Sequence, residues 1–435
     1  MDEEEILTAS RQSLAHLESI FGDECETVIA DARYGFVAGL LKDIVRKPPL
    51  ERVTLSDQID MLVISRWLGL PLLLVVMYLT FQFVFRLSEP LMNWISLVFG
   101  QLGVIASGIG GWEGSLLAEG VIGGIGSVLI FVPPIFLLFA AISVLEDCGY
   151  MARAAFVTDK VMHKIGLHGR SFIPLVLGFG CNVPGVMATR TIENTKDRIT
   201  TILVNPFMSC GARLPIYVLL AGYFFAGHAG LVVFSMYAVG AAVAMLMALA
   251  FRKSILRGTS SHFVMELPPY RLPTLRGILT HVWERGRLFL KKAGTFIFGV
   301  VVLIWLVDYF GALEPVGRAI APIFVPCGFG QWEAAVSLMF GFLAKEVVVG
   351  TMGTLFAAEE GVLGQAIATH LGWTPLAALA FMVFCVLYVP CIATVATIKS
   401  ETNSWKWPVF TVLYTTATAW VAATLIFQIG GLFLG

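Results

Sequence analysis

Residues Gly178–Pro215 read GFGCNVPGVMATRTIENTKDRITTILVNPFMSCGARLP, two uncharged apolar segments on either side of a short charged link. Glycine and proline interrupt each segment, around Cys181 in the first and around Cys210 in the second. Proline removes a helical hydrogen bond and glycine loosens the backbone, so such breaks free carbonyl groups. At membrane depth they are tolerated only beside protein or a water-filled cavity. This stretch therefore predicts an ion or substrate site.

The composition excludes an ordinary soluble globular protein, because 57% of the 435 residues are hydrophobic and only 14% are charged. A membrane-spanning helix needs about 20 apolar residues. Four nearly uncharged stretches approach or exceed that length: 67–85, 120–145, 229–251 and 406–435. The sequence predicts an all-α polytopic membrane protein, with the lipid bilayer as its main partner. A formal net charge of −1, without a basic aromatic-rich patch, argues against nucleic acid as a partner.

Residues 1–60 are predicted to form a separate helical segment in the cytoplasm, followed by a transmembrane domain over 61–435. Apolar residues recur at helical spacing within 3–21 and 26–45. The chain contains no G-x-x-x-x-G-K-[ST] motif. We therefore expect it to bind no nucleotide and to be a transporter rather than an enzyme.

Basic residues predict the topology, since cytoplasmic loops are rich in Lys and Arg. They cluster before residue 67 and again in 252–292, whereas 88–119 contain glutamates and no Lys or Arg. Within that outer segment, 91–105 are expected to form a separate interfacial helix. The link 190–198 carries three basic residues. If 171–189 form a re-entrant or broken helix, this link stays in the cytoplasm.

The second half of the chain repeats this pattern in the opposite orientation. A broken apolar stretch over 332–356 aligns GFLAKEVVVGTMGT with GFGCNVPGVMATRT of the first half. YVPC, ending at Cys391, corresponds to NPFMSC, ending at Cys210. Further elements are expected at 289–307 (a span), 311–331 (an interfacial segment), 376–398 (a broken span) and 407–434 (the last span). Broken helices at matching places predict two inverted repeats, about 120–251 and 289–435, with a transport site between them.

Several motifs in this order resemble the membrane domain of the ferrous iron transport protein B (FeoB) family. They are IADARYGFV (29–37), SRWLGLP (65–71), LEDCGYMARAAFVTDKVM (145–162), GFGCNVPGVMATRTIEN (178–194), PFMSCGARLPIY (206–217), FLAKEVVVGTMGTL (342–355) and YVPCIATVATIKSE (388–401). The resemblance implies Fe2+ import across the cytoplasmic membrane of a bacterium or archaeon, through two Gate regions that coincide with the two halves. Members of the family usually begin with a GTPase domain. Here residues 1–60 resemble only the tail of the helical part that follows it. We therefore expect either a GTPase on a separate polypeptide or a shortened form of the family's chain. Small cytoplasmic accessory proteins are expected as further partners, and a homo-oligomer is left open.

The predicted metal ligands are Cys181, Cys210, Cys391 and Glu346. Thiolates can hold Fe2+ and discriminate against Mg2+ and Ca2+, although a buried cysteine is also a common small apolar residue. Glu346 would be costly at mid-membrane unless it served a polar cavity. Secondary candidates, each with an ordinary structural alternative, are Asn182, Ser209, Met208, Arg213, Glu146 and Asp147.

Three classes of function follow from these residues. The first is Fe2+ uptake gated by an external GTPase, and the second is transport of Mn2+, Zn2+ or a small organic solute such as a nucleoside. The third, an intramembrane enzyme with a cysteine nucleophile, needs a nearby base, and no histidine lies inside an expected span. His163, His168 and His228 are instead expected at the surface.

Overall fold

A computed structural model describes most of the chain as helices. The described residues are 5, 8–10, 12–14, 16, 20, 25–41, 55–65, 67–130, 132–256, 269–290, 298–299, 302, 305–306, 309–311, 313–345, 347–356 and 360–434. The chain divides into two compact units, Met1–Gln58 and Ile59–Gly435. Within the described residues the only regular structure is helical, as predicted.

Twenty α-helices are described, numbered here in chain order. The first half of the chain contains α1 Cys25–Leu41, α2 Leu55–Val63, α3 Gly69–Ser107, α4 Gly111–Ser115, α5 Gly123–Ile130, α6 Val132–Asp147, α7 Tyr150–Lys164, α8 Phe172–Gly180, α9 Asn182–Ala188, α10 Thr195–Val204, α11 Leu214–Phe224 and α12 Ala229–Lys253. The second half contains α13 Leu275–Phe289, α14 Leu313–Ile320, α15 Trp332–Leu343, α16 Val347–Phe356, α17 Glu360–His370, α18 Pro375–Leu387, α19 Ile392–Thr402 and α20 Lys406–Leu434.

Six stretches among the described residues are long and apolar enough to cross a membrane, and a seventh is counted if one bent pair forms a single span. The bent pair joins Leu313–Cys327 to Trp332–Leu343 at 99°. The six stretches are Gly69–Ser107, Gly111–Asp147, Thr195–Phe224, Ala229–Lys253, Pro375–Thr402 and Lys406–Leu432. The polytopic fold is therefore confirmed. Most of the span expected at 289–307 lies outside the described residues.

The first long helix differs from its prediction. α3 runs unbroken for 39 residues and passes through Pro90, so the separate helix expected at 91–105 is wrong. At 1.5 Å per residue α3 is about 58 Å long, well beyond the ~30 Å of a bilayer core. The chain turns only after Gly108, where Gly110 and Gly111 adopt φ of 72° and 68°. Proline costs one helical hydrogen bond and can be carried through, whereas positive φ ends a helix.

α18 is the central helix of the second unit. In its span, Pro375–Thr402, 78% of the most apolar window is buried, compared with 22% in the last span. Its sequence is apolar on every face, which is expected of a helix surrounded by protein. The broken elements described next pack around this core.

Two short helix pairs fold back on themselves, as expected of re-entrant elements. In an unbroken helix Pro174 and Gly185 would be about 16 Å apart. Instead, a Cβ on Gly185 would lie 2.8 Å from the Pro174 carbonyl oxygen, so α9 lies against α8. In the second half, a Cβ on Gly341 would lie 2.3 Å from Cγ2 of Val348, so α16 lies against α15. Glycine is needed at both positions because any side chain would separate the two arms.

Candidate functional site

The breaks of the two halves meet at one cavity of about 330 Å3. Its lining includes Cys181, Cys210 and Cys391, and we therefore call it the thiol cavity. Arg213 and Lys345 also line it. The structure therefore brings together the three cysteines that the sequence singled out, although Cys391 lies far from the other two along the chain.

Each of these cysteines occupies a non-helical residue directly before a helical segment. Cys181 separates α8 from α9 with φ −154° and ψ 131°. Cys210 precedes the 3-10 turn Gly211–Arg213 with φ −73° and ψ 159°, and Cys391 precedes α19 with φ −58° and ψ 154°. All three side chains are partly exposed and none forms a disulfide. The helix breaks thus place three thiols that form no disulfide at the cavity wall.

The thiols share the cavity without forming a closed coordination set. Within the described part of the chain, no group of three or more His, Cys, Asp or Glu side chains is gathered closely enough to hold a metal ion. The Sγ atom of Cys391 lies 3.3 Å from Oγ1 of Thr394, which also lines the cavity. A cation held by all three thiols would require the breaks to move closer together.

Arg213 donates hydrogen bonds to backbone carbonyls at the helix break before Cys210. Its side chain is fully buried. Its guanidinium donates to the Pro206 carbonyl at 3.2 and 3.3 Å and to the Met208 carbonyl at 3.4 Å. These carbonyls have lost their helical donors, so the arginine replaces hydrogen bonds that the break removed. Because Arg213 also lines the cavity, it contributes a fixed positive charge beside the thiols.

Asn182 stabilises the same break from α9. It is only 4% exposed, and its Nδ2 lies 3.4 Å from the Pro206 carbonyl oxygen. With the amide turned over, Nδ2 donates to the Met208 carbonyl at 3.2 Å and to the Gly178 carbonyl at 2.8 Å. The second orientation gives the amide two partners rather than one and is the better assignment.

Four of the six secondary candidates lie outside the cavity lining, and Ser209 and Met208 are two of them. Ser209 is fully buried and its hydroxyl lies 2.8 Å from the hydroxyl of Tyr217. Met208 packs in the large apolar core. Its Cβ is so close to Gly178 that a Cβ added to this glycine would lie only 2.8 Å from it. Glu346, the fourth predicted ligand, lies outside the described residues.

Lys345 is a cavity residue that the sequence reasoning missed, since it was considered only as a partner for Glu346. It is 2% exposed and lines the cavity. The alignment of GFLAK with GFGCN contained the signal, because it places Lys345 opposite Asn182.

Comparison with known proteins identifies the family. A Campylobacter jejuni protein named Fe(2+) transporter FeoB is 39% identical over 428 residues, which cover 92% of this chain and 69% of that protein. The chain belongs to the ferrous iron transport protein B family. Two further relatives are similar. A Staphylococcus aureus Fe(2+) transporter FeoB is 42% identical over 92% of this chain and 63% of its own length. A Porphyromonas gingivalis protein, named as a fusion of Fe(2+) transport protein A and Fe(2+) transporter FeoB, is 40% identical over 94% of this chain and 56% of its own length.

The chain thus spans between 56% and 69% of the length of these FeoB relatives. Family models match it in three parts. The Gate model, described as nucleoside recognition, matches 128–224 and 290–405, and these two pieces contain all four broken elements. The FeoB C-terminus model matches 233–285, and the FeoB cytosolic helical domain matches 1–46. No solved structure matches the chain.

Glu146 and Asp147 do not line the thiol cavity. Glu146 lines a second cavity of about 520 Å3, together with Glu284, Arg190 and Met187. Nδ1 of His281 lies 3.9 Å from the Asp147 carboxylate. α6, α8 and α9 each contribute residues to both cavities.

A charged joint connects the two Gate pieces at the far ends of α9 and α19. Arg190, in the turn after α9, donates from Nε and Nη2 to the Glu401 carboxylate at 2.7 and 2.6 Å. Arg198 donates to the Glu401 backbone carbonyl at 2.8 Å. The Glu401 side chain is only 3% exposed. Cys181 directly precedes α9 and Cys391 directly precedes α19. The joint therefore lies at the ends of these helices opposite the thiols.

His168 differs from the prediction for the loop histidines, because it is only 8% exposed. Its Nδ1 accepts a hydrogen bond from the Arg170 backbone N–H at 3.1 Å. Burial lowers the pKa of this imidazole, against the neighbouring Asp197 carboxylate, which raises it. The expectation of an ordinary surface histidine is wrong here because the loop folds inward.

Proposed function

We propose that this chain carries Fe2+ across a lipid bilayer into the cytoplasm through the thiol cavity. The observation that supports this most is that cysteines from both halves line one cavity where the helices are broken. Transporter sites of this kind lie between repeats, at discontinuous helices. The curated relatives, which are named Fe(2+) transporters, support the same substrate.

The cavity chemistry suits a soft divalent cation better than a hard one. Sulfur ligands favour Fe2+ over Mg2+ and Ca2+, which prefer oxygen. Deprotonated thiols would offset the charge of the ion and of Arg213. Because thiolate ligation releases protons, Fe2+ binding would weaken as the pH falls.

The wider assembly follows from the same proposal. The chain would lie in a bacterial or archaeal cytoplasmic membrane with its N-terminal segment in the cytoplasm. GTP hydrolysis would be supplied by a GTPase outside these 435 residues. The Porphyromonas gingivalis fusion to Fe(2+) transport protein A supports small accessory proteins as further partners.

Cysteine-to-serine variants test the proposal. Serine keeps the size but replaces sulfur with a harder oxygen, so Cys181→Ser, Cys210→Ser and Cys391→Ser should each lower initial 55Fe2+ uptake by about tenfold or more. The measurement is anaerobic uptake into cells that express the chain with its GTPase, normalised to the folded protein in the membrane.

Cys148→Ser is the matched control. Cys148 is also a partly exposed free thiol, but it lies outside the cavity and its Sγ contacts the Leu145 carbonyl. Its replacement should leave uptake within about twofold of the wild type, as expected for a surface-type change. Wild-type uptake in all three cavity variants would refute the thiol site.

The description of the Gate model favours one second candidate, transport of a nucleoside. Phe81 is the single aromatic residue in the described lining, and Asn182 is its single side-chain amide. A nucleoside site would be expected to present more of both. Competition experiments distinguish the substrate classes. Fe2+ uptake that Mn2+ or Zn2+ reduces and excess nucleoside leaves unchanged would indicate a metal transporter.

A further inference from the structure

The thiol cavity and the second cavity are lined by neighbouring residues of the same helices. On α6, Leu138 lines the thiol cavity and the next residue, Phe139, lines the second cavity. On α9, the same change occurs between Val183 and Pro184. Successive residues of a helix point about 100° apart. α6 and α9 therefore present one side to each cavity.

A buried apolar cluster connects the linings of the two cavities. We call it the apolar plug, and its members are Ile135, Phe139, Val183 and Ala393. All of them except Phe139 line the thiol cavity, whereas Phe139 lines the second cavity. Cys181 and Cys391 pack against the plug, and so does Met187, a lining residue of the second cavity. The plug therefore extends from the wall of one cavity to the wall of the other.

Phe139 is the largest member of the plug, and it is only 2% exposed. The other three members are also buried. An ion that crossed between their side chains would lose its water and meet no polar side chain in exchange, which is costly. Hydrophobic constrictions close ion pathways for this reason. The plug thus separates the thiols from the second cavity.

The second cavity connects the plug with solvent. Glu146 and Glu284 belong to its lining, and both are exposed. Glu284 lies in 252–292, and Arg190, another lining residue, lies in the link 190–198. These are two segments for which the basic residues predict a cytoplasmic location. An ion that passed the plug would meet water on that side.

The plug and the thiols are carried by the same two helices. Val183 of α9 comes two residues after Cys181, and Ala393 of α19 comes two residues after Cys391. α9 belongs to the first Gate piece and α19 to the second. A movement of α9 against α19 would therefore change the distance between these cysteines and the packing of the plug together.

We propose that the second cavity is the cytoplasmic exit of the transported ion and that Phe139 closes this exit. In this structure the Phe139 ring fills the path from the thiols, and it must move aside before Fe2+ can leave. The inference rests on the proposed function, since it concerns the same ion, and it adds the route of release and the residue that controls it.

The test compares Phe139→Asn with Phe139→Leu in the purified full chain. Anaerobic 55Fe2+ influx is measured in proteoliposomes without a GTPase. Phe139→Asn should raise this influx at least about tenfold over the wild type, because its amide offers a polar partner to an ion that otherwise crosses without one. Leucine has nearly the shape of asparagine but no polar atom, so Phe139→Leu should stay within about twofold. Both variants lose the ring, so a difference between them reports polarity rather than packing.

Phe251→Asn is the matched control. Phe251 is 4% exposed and lines neither cavity. A buried asparagine there should leave the influx within about twofold of the wild type, because it lies off the proposed route. An influx raised as much as in Phe139→Asn would show that a buried asparagine anywhere makes the chain leak, and it would overturn the inference.

Phe139→Ser is a second polar variant in case asparagine prevents folding. Wild-type influx in a folded polar variant, or equal influx through Phe139→Asn and Phe139→Leu, would overturn the inference. Failure of both polar variants to fold would assign Phe139 to packing alone and overturn it as well. In each of these cases, Fe2+ uptake by the wild-type chain with its GTPase and its loss in the cysteine variants would still support the thiol site. Absence of Fe2+ uptake by the wild-type chain with its GTPase would instead refute the proposed function itself.

Discussion

Replacing Glu401 with glutamine tests whether the charged joint between the two Gate pieces stabilises the fold. The buried Glu401 carboxylate accepts two hydrogen bonds from Arg190, and Arg198 Nη2 lies 3.4 Å from one of its oxygens. The pKa of the Arg190 guanidinium is raised by its hydrogen bond to Glu401, against burial, which lowers it. Glutamine keeps one acceptor oxygen but loses the charge and places an NH2 group against a guanidinium.

The loss in the free energy of unfolding expected for Glu401→Gln lies between two known limits. Breaking a fully buried ion pair costs about 3–5 kcal/mol, whereas an exposed pair contributes about 0–1 kcal/mol. Here the Glu401 side chain is 3% exposed and that of Arg190 is 56% exposed, so solvent screens one partner. We expect Glu401→Gln to lower the free energy of unfolding by about 2 kcal/mol. In a double-mutant cycle with Arg190→Gln, the coupling energy should be about 1–1.5 kcal/mol.

The assay is denaturant unfolding of the purified chain in mixed micelles, followed by tryptophan fluorescence. The matched control is the pair Arg170–Glu193, which has the same chemistry at 2.7 Å, but its glutamate is 86% exposed. Its coupling energy should stay below about 0.5 kcal/mol. Equal coupling energies in the two cycles would refute the argument that burial of Glu401 strengthens the joint.

Two further predictions concern His168 and Ala344. Because burial lowers the pKa of His168 below its unfolded value of about 6.5, the neutral imidazole stabilises the fold above that pH. Stability should therefore fall as the pH drops from about 7.5 to about 5.5, and His168→Asn should flatten this dependence in thermal unfolding curves. Ala344 lines the thiol cavity at the counterpart of Cys181, so Ala344→Cys adds a fourth thiol. It should tighten Zn2+ binding by about tenfold, measured in competition with a chelator, whereas Ala344→Ser should not. An unchanged Zn2+ affinity of Ala344→Cys would contradict the repeat geometry.

The helix breaks could be predicted from the sequence because their causes are local. Glycine or proline adjoins three of the four breaks, and the structure interrupts the helices at Cys181, before Cys210, at Ala344 and before Cys391. Local composition failed at Pro90, where α3 continues through the proline without a break. Proline therefore signals a helix end only when the residues beyond it also disfavour helix.

The contacts across the halves could not be predicted in the same way. Arg190 and Glu401 are 211 positions apart, and nothing in either neighbourhood selects the other as a partner. Burial of His168 depends likewise on how its loop packs against the rest of the fold, which its own short segment does not specify. The thiol cavity lies between these cases. Each cysteine could be named from its break, but their convergence required the fold.

The alanine at position 344 has a consequence for how long an ion would stay bound. Four sulfur ligands make the closed tetrahedral sites in which proteins keep Zn2+ permanently. Two repeats with identical breaks could have supplied such a set, yet the second repeat presents a methyl group where the first presents a thiol. An ion held by three sulfurs retains an open coordination position, through which a water or an incoming ligand can begin its departure. In the proposed site, the inequality of the two repeats would thereby shorten the residence time of the ion, a property that storage sites avoid and a carrier needs.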